Sequence, residues 1–183
     1  IFDHAHSLFP NLQRITVYGS ARYVSKKSIE ELERLQAAGL NRIHMGMESG
    51  DDVTLTRIQK GTTSEQIIAA GCRVRDAGIQ LSEYYLVGIG GLDRTVEHAT
   101  ASARVLSLIS PDFIRLRTFV PIPGTPLYQE WRTGQFTLLQ PHQALREIRL
   151  LIENLDARGS ILLSDHVSNY WNIQGQLPDD RAM

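Results

Sequence analysis

The feature that most constrains the fold of this chain is a regular alternation between strand-like and helix-like segments. Runs rich in β-branched and aromatic residues predict strands, and the amphipathic runs between them predict helices. The strands fall at residues 14–21, 42–47, 81–87, 113–120 and 161–163, and the helices at residues 28–39, 52–59, 64–77, 95–109 and 142–158. Such an order implies a parallel sheet with helical crossovers, either a barrel or an open doubly wound sheet.

Charge and hydropathy exclude several classes of partner. The chain has 183 residues and a net charge of -1, with 19 basic and 20 acidic residues. This balance gives no bulk attraction to nucleic acid or to an anionic membrane. No apolar run approaches the ~20 residues that span a bilayer, and no secretory signal pattern is present, so we expect a cytoplasmic protein.

Composition also restricts metal and redox sites. Cys72 is the single cysteine, which excludes an internal disulfide and any cluster held by cysteines of this chain alone. It lies in a helical run with Ile67, Ile68 and Val74, a pattern typical of a core position. No HExxH spacing occurs among the six histidines, so these residues predict no resident metal.

Small and polar residues collect at the ends of the predicted strands, in segments 18–22, 48–50, 88–91 and 121–126. In parallel α/β sheets, ligands bind at the carboxyl ends of the strands. Glu48 can bind the hydroxyls of a ribose or a ligand ammonium, or it can cap the next helix, as Asp51 or Asp52 also can. The glycines that follow Val87 either form a turn or allow the close approach of a ligand.

Two further expectations concern backbone order. Residues 121–128 (PIPGTPLY) contain three prolines, which predicts neither a helix nor a strand there. The tail after Gly175 is polar, and we expect it to be loose.

Three motifs resemble one known family. The segments GMESGDDVTLTRIQKGTT (46–63), YYLVGIGG (84–91) and FVPIPGTPLY (119–128) resemble, in this order, the fourth, fifth and sixth strand segments of radical S-adenosylmethionine enzymes. The resemblance implies an α/β fold over residues 1–158, a partial (β/α) barrel with parallel strands that is the C-terminal part of a (β/α)6 barrel. Residues 159–183 would form a C-terminal extension, in which residues 164–171 either cap the open barrel, touch substrate or pack as a strap.

The resemblance also implies a cofactor. In the family, three cysteines hold a 4Fe–4S cluster that binds S-adenosylmethionine, and one electron cleaves this molecule to methionine and a 5′-deoxyadenosyl radical that abstracts hydrogen from substrate. By resemblance, Glu48 binds the cofactor's ribose or amino group with help from Ser49, and Arg57 and Lys60 are candidates for its methionyl carboxylate. The other candidates are Leu86, Gly88, Gly90 and Gly91 along the adenine and ribose, Val120, Pro121 and Pro123 beside the adenine, and Tyr18 and Ser20 toward the substrate.

The chain departs from the family pattern. The cysteine triplet and the glycine-rich motif after the second strand are absent, and Gly90 replaces a usual proline, with Asp93 the candidate for the usual acid. The first hypothesis is therefore a fragment, inactive alone, of an enzyme that does reductive radical chemistry on an unknown substrate. The second is a cluster-free binding or scaffold domain on the same fold, and a third, an aldolase-like barrel, lacks a lysine at a strand end. A fragment would expose a strand edge, which predicts a homodimer.

Overall fold

The computed structural model describes residues 1–180. The strands are β1 (Ile15–Gly19), β2 (Leu40–Glu48), β3 (Gln80–Val87), β4 (Phe113–Thr118), β5 (Ile161–Leu163) and β6 (Gln174–Gln176). The helices are α1 (Phe2–Leu8), α2 (Ala21–Val24), α3 (Ile29–Ala37), α4 (Asp52–Arg57), α5 (Ser64–Asp76), α6 (Thr95–Ile109), α7 (Pro126–Arg132) and α8 (Pro141–Asn154). One 3-10 turn, Leu92–Arg94, leads into α6.

The strands form one sheet whose order follows the chain. Strands β1 to β5 are parallel, and β6 pairs antiparallel with β5. The first and last strands do not pair with each other, so the sheet described here is open. The predicted fold, a partial (β/α) barrel with parallel strands, is confirmed. Within residues 1–180, no helix is long and apolar enough to cross a membrane.

The two faces of the sheet differ because successive side chains of a strand point to opposite sides. One face packs on the helices and forms the core, where Met45, Leu81, Tyr85 and Leu116 are at most 1% exposed. We call the other side the inner face. It carries the alternate residues Thr16 and Tyr18 of β1, Arg42, His44 and Gly46 of β2, Gln80, Ser82, Tyr84 and Leu86 of β3, and Phe113, Arg115 and Arg117 of β4.

Helices α3 and α5 each begin with a reciprocal pair of capping hydrogen bonds. Ser28 Oγ accepts from Glu31 N, and the Glu31 carboxylate accepts from Ser28 N in return. Thr63 and Gln66 form the same reciprocal pair at the start of α5. Each pair satisfies two backbone donors that a helix start leaves without partners, which fixes where the helix begins.

Two local predictions are wrong. Helix α7 begins at Pro126, inside segment 121–128, because a proline at the first helical position lacks only an N–H that would have no partner there. Thr125 supplies the cap, with its Oγ1 accepting from Tyr128 N at 3.3 Å. The tail is not loose at residues 176–177 either, since Gln176 pairs with Ile161 and Leu177 is 5% exposed. Its last residues, 181–183, lie outside the described part of the chain.

The loop after β2 packs directly on the backbone of α6. A Cβ on Gly50 would lie 2.5 Å from Ala101 O and 2.7 Å from Ser102 Cα. Gly50 N also donates to Ser102 Oγ at 2.7 Å. Glycine is thus required at position 50 by the approach of two backbones, and this contact sets how close α6 lies to the end of β2.

The substitution Gly50→Ala should lower the free energy of unfolding by about 3 kcal/mol, because the new methyl group must push α6 away. In the control, Gly134→Ala, the Cβ position has no atom within 4 Å, and only the left-handed backbone is penalised. That cost is about 1 kcal/mol. Urea unfolding followed by circular dichroism measures both, and equal losses would contradict the close-packing argument.

Candidate functional site

Glu48 ends β2 in a backbone conformation that residues with side chains avoid. Its φ is 62°, in the left-handed region, and the register with β3 shifts between Gly46 and Glu48. Strain of this kind persists only where the surroundings impose it, and it clusters at functional sites. The Glu48 carboxylate lies 3.2 Å from Lys60 Nζ, each side chain being 25% exposed. A Cβ on Gly46 would collide with Glu48 Oε1, so the carboxylate lies over the inner face.

Asp51, not Glu48, caps the helix that follows. Asp51 Oδ2 accepts from Thr54 N at 3.0 Å and from Thr54 Oγ1 at 2.6 Å. Arg94 donates to both carboxylate oxygens, at 2.8 and 3.0 Å. Burial alone would raise the pKa of the Asp51 carboxyl. The hydrogen bonds from Arg94 and Thr54 outweigh this effect and lower the pKa to about 2. The choice left open for Glu48 is therefore settled against capping, and its carboxylate remains available to a ligand.

Behind Glu48 lies a fully buried set of polar side chains, which we call the buried network: Ser49, Tyr85, His98 and Glu147. Ser49 Oγ is 2.8 Å from His98 Nδ1, and His98 Nε2 is 3.5 Å from Glu147 Oε1. Burial lowers the pKa of His98 to about 4 and raises that of Glu147 to about 7. Since all four side chains are enclosed, the network positions the loops and does not itself reach a ligand.

The glycine loop after β3 is held by this network. Glu147 Oε1 accepts from Gly88 N at 2.7 Å and from Tyr85 Oη at 2.9 Å. A Cβ on Gly90 would lie 2.9 Å from His98 Cβ, and Gly91 has a φ of 74°. The loop thus needs its glycines for packing and for turning, and the predicted contacts of Gly88, Gly90 and Gly91 with a cofactor stay predictions.

An apolar cavity of about 250 Å³ opens beside the ends of β3 and β4. Val120 and Ile122 next to it are 61% and 66% exposed, which is unusual for side chains of this type. Leu86, predicted to lie along the adenine, packs partly buried against Ile89. The cavity is lined by Arg57, Ile58, Gln59, Ile89, Phe119, Ile122, Thr125, Pro126 and Leu127. It has the size and character to take a flat apolar group.

Arg57 lies at the edge of this cavity with its charge already paired. Its Nη2 is 2.8 Å from Glu130 Oε2, and its Nη1 is 3.6 Å from Asp93 Oδ2. Its guanidinium carbon also lies 4.9 Å from the centre of the Phe136 ring. These contacts give Arg57 a structural role in joining α4 to α7, and its predicted contact with a methionyl carboxylate stays a prediction.

The candidates for substrate contact fall at the end of β1. Tyr18 is 78% exposed on the inner face, with its ring 5.3 Å from that of His44. Ser20 lies at the start of α2, where its side chain makes no capping hydrogen bond. Tyr18 lies in register with His44, and the predicted contacts of Tyr18 and Ser20 with a substrate stay predictions.

Segment 164–171 crosses the carboxyl end of β4. Asn169 Nδ2 donates to Leu116 O at 2.8 Å, and Thr118 N donates to Ser168 Oγ at 3.2 Å. Asp165 Oδ1 lies 3.4 Å from Arg115 Nη1, so the segment also places a carboxylate on the inner face. The segment therefore packs as a strap across the end of β4 and borders the inner face, and its predicted roles in capping the barrel or touching substrate stay predictions.

Two buried acids, Glu147 and Glu83, were not predicted from the sequence. Glu147 lies between the buried residues Ala144 and Ile148 on α8, so a charge within the apolar stripe was the available signal. Glu83 is 0% exposed on β3, and neither of its carboxylate oxygens has a hydrogen-bond partner among residues 1–180. Burial, and then the nearby charge of Glu48, raise the pKa of Glu83 well above its usual range, so this carboxyl is neutral.

Other places in the described chain carry less chemistry. No group of three or more histidine, cysteine and acidic side chains among residues 1–180 could hold a metal ion. A larger depression, about 1010 Å³, lies at the amino ends of the strands beside Arg14 and Gln80. It is at the opposite end of the sheet from the loops, where parallel α/β sheets do not place their ligands.

Among curated proteins, the tRNA uridine(34) acetyltransferase of Methanocaldococcus infernus is 24% identical over 127 residues. The match covers 69% of this chain and 23% of the relative, so the chain spans less than a quarter of that protein. No protein-family model matches the chain.

Solved structures share the fold at low identity. Elp3 of Methanocaldococcus infernus with an N-terminal deletion gives a TM-score of 0.63 at 21% identity, over 75% of this chain and 32% of that one. Coproporphyrinogen III oxidase of Escherichia coli, a radical S-adenosylmethionine enzyme, gives 0.61 at 19%, over 82% and 35%. Methylornithine synthase gives 0.59 at 18%, over 100% and 56%. The resemblance is thus confirmed, and the chain has the fold of a partial radical S-adenosylmethionine barrel.

The substitution Glu147→Gln should change how stability depends on pH. Because the pKa of Glu147 is about 7 in the fold and 4.5 is its ordinary value, the neutral carboxyl stabilises the fold fully below pH 4.5. This contribution is lost as the pH rises through 7, so the wild type should lose about 3 kcal/mol relative to the variant, which cannot ionise.

Urea unfolding of both proteins at about pH 5 and about pH 8 measures this change. His98 is present in both proteins, so its titration cancels in the comparison. A difference in stability that is the same at both pH values would show that Glu147 is not held neutral.

Proposed function

We propose that this chain is the C-terminal part of the barrel of a radical S-adenosylmethionine enzyme, whose cluster-binding cysteines lie outside this sequence. When bound, the 4Fe–4S cluster and S-adenosylmethionine supply, with one electron, methionine and a 5′-deoxyadenosyl radical that takes a hydrogen atom from the substrate. The observation that carries the proposal is Glu48, a carboxylate with a strained backbone at the end of β2, on the same edge of the sheet as an apolar cavity at the ends of β3 and β4.

The described residues fit the nucleoside part of this cofactor and not its cluster. The cluster needs three thiolates, and Cys72, the single cysteine, lies half-buried on α5. The nucleoside needs an acceptor for its hydroxyls and an apolar slot for its base. Glu48 and the neighbouring cavity supply these two features within one edge of the sheet.

Glu48 and Lys60 act as a pair in this proposal. The ammonium of Lys60, 3.2 Å from Glu48 Oε1, orients the carboxylate. The second carboxylate oxygen, Oε2, is then free to accept from a ribose hydroxyl or the cofactor's amino group. The Ser49 side chain is enclosed, so in this proposal it helps indirectly. Its contact with His98 holds the backbone next to Glu48.

The proline loop is proposed to hold the adenine. Phe119 and Ile122 of this loop line the cavity, and in the proposal the backbone carbonyls of Val120, Pro121 and Pro123 accept from the base. Two of these three residues have no N–H to compete. Ile89 and Phe119 provide apolar walls. A base seated here would also cover Ile122, which is otherwise exposed. Prolines keep the loop in one conformation, which lowers the entropy lost on binding.

The substitution Glu48→Gln in the full-length protein should weaken S-adenosylmethionine binding about tenfold, because one charge-assisted hydrogen bond becomes neutral. Glu33→Gln, an exposed acid on α3, removes the same charge and should leave binding unchanged. Calorimetry under anaerobic conditions measures binding, and chromatography measures the release of 5′-deoxyadenosine with a reductant.

Two outcomes would contradict parts of this proposal. Equal binding by wild type and Glu48→Gln would remove Glu48 as the anchor. Binding without any 5′-deoxyadenosine, in a full-length protein that carries no cysteine triplet, would favour the cluster-free binding or scaffold domain.

A homodimer through β1 is a further part of the proposal. Among residues 1–180, β1 pairs on one side only, with β2, so its other edge presents unpaired backbone groups. The isolated chain, of 20.6 kDa, should scatter light as a particle of about twice that mass. Thr16→Lys places like charges at the paired edge and should return the monomer. A wild-type monomer at high concentration would contradict the edge pairing.

A further inference from the structure

The inner face carries a row of rings across three strands. Tyr18 and His44 are paired in register, with ring centroids 5.3 Å apart, and the rings of His44 and Tyr84 are 5.6 Å apart. Tyr18 is 78% exposed, so the described residues leave this end of the row uncovered. Flat aromatic surfaces of this kind can stack on planar groups of a ligand.

Arginines of β2 and β4 surround the rings. The Arg117 guanidinium lies 4.3 Å from the centre of the Tyr84 ring, and that of Arg42 lies 4.2 Å from the centre of the Phe113 ring. Arg115 lies on β4 between Phe113 and Arg117 and is in register with Tyr84. Guanidinium groups fixed over rings in this way are oriented before any ligand arrives.

The charges of these arginines are close enough to affect one another. Burial lowers the pKa of His44, and so do the nearby charges of Arg115, Arg42, Arg117 and Arg14, in that order. Burial, followed by the charges of Arg14 and Arg115, also lowers the pKa of Arg42. The inner face therefore gathers positive charge around a neutral imidazole.

Apart from Glu48, which is paired with Lys60, few acids balance this charge. Asp165 lies 3.4 Å from Arg115, and both side chains are partly exposed. Asp112 Oδ2 accepts from Leu81 N at 2.8 Å and so is used by the backbone. In the part of the chain that the structure describes, no carboxylate lies within 4.0 Å of Arg117. Arg117 is thus a fixed cation with a ring and no counter-ion.

Several polar atoms on this face also have no protein partner. Among residues 1–180, hydrogen-bond partners are missing for His44 Nδ1, Ser82 Oγ, Arg115 Nε and Arg117 Nε, all of them buried. Ser82 is in register with His44 on one side and Phe113 on the other, so these atoms lie on neighbouring strands. Buried donors without partners are costly, and such clusters indicate a place where a ligand supplies acceptors.

We propose that the inner face binds an anionic substrate, one that carries carboxylate or phosphate oxygens beside a planar group. Arg117 and Arg115 bind the oxyanion through their paired N–H donors, and the rings of Tyr18 and Tyr84 contact the planar part. That this ligand is the substrate rests on the proposed function, whereas the binding of an anion does not.

Asp165 acts in this proposal as an internal substitute for the anion. It reaches Arg115 from the strap formed by residues 164–171, with its side chain 54% exposed. An exposed ion pair of this kind is weak, so an incoming oxyanion can displace it. Removal of the Asp165 charge should then strengthen anion binding, a gain that misfolding cannot imitate.

The experiment uses the full-length protein and two probes, trimesate as a planar tricarboxylate and inorganic pyrophosphate as a phosphate source. Isothermal titration calorimetry at low salt should give binding of at least one probe. Arg117→Gln should weaken that binding about tenfold, and Asp165→Asn should tighten it about threefold. Arg146→Gln, an exposed arginine on α8, removes the same charge and should leave binding unchanged.

The probe that binds more tightly identifies the source of the oxyanion as carboxylate or phosphate. Binding of neither probe, or equal affinities in wild type, Arg117→Gln and Arg146→Gln, would overturn the proposal. If Asp165→Asn does not tighten binding, the substitute role of Asp165 is wrong. Anion binding that persists when Glu48→Gln leaves S-adenosylmethionine binding unchanged would retain this site and reject the proposed cofactor anchor.

Discussion

One buried carboxyl fixes the geometry on which the rest of the site depends. Glu147, on α8, accepts from the backbone of Gly88 and the hydroxyl of Tyr85, and it faces His98 on α6. His98 in turn contacts Ser49, so the loops after β2 and β3 are tied to two helices far away in the chain. Because the network is enclosed and its acid is neutral below a pKa of about 7, it orders the loops there without adding charge to the site. Glu48, which is only partly exposed, can then hold a strained backbone conformation while the neighbouring loops keep their positions.

The fold could be predicted from the sequence because it follows from hydrophobic periodicity and from the residues at the strand ends. The alternation of segments, the caps at Ser28 and Thr63, and Glu48 at a strand end all follow from local rules that the structure obeys. Helix α7 was missed because prolines were taken to exclude a helix throughout, whereas a proline in the first position favours one.

The rest could not be predicted because it depends on pairing between distant segments. Glu147 and Gly88 are 59 residues apart, and no local pattern states that they meet. The arginines of the inner face lie on two strands with polar and apolar residues between them, so only the register brings their charges together around one row of rings. The sequence indicated that a carboxylate at the end of β2, Glu48, was unusual. It did not indicate that Lys60 would lie beside Glu48 or that Asp51 would be the residue that caps α4.

The separation of the two sheet faces has a consequence for evolution. Residues that hold the core and residues that face the cavity of the barrel alternate along the same strands, so a mutation at His44 or Arg117 leaves Met45 or Leu116 in place. A lineage could therefore exchange the inward set for a new ligand while inheriting the packed layer unchanged. Selection for new substrates would then act on every second position of four strands, with little effect on whether the chain folds.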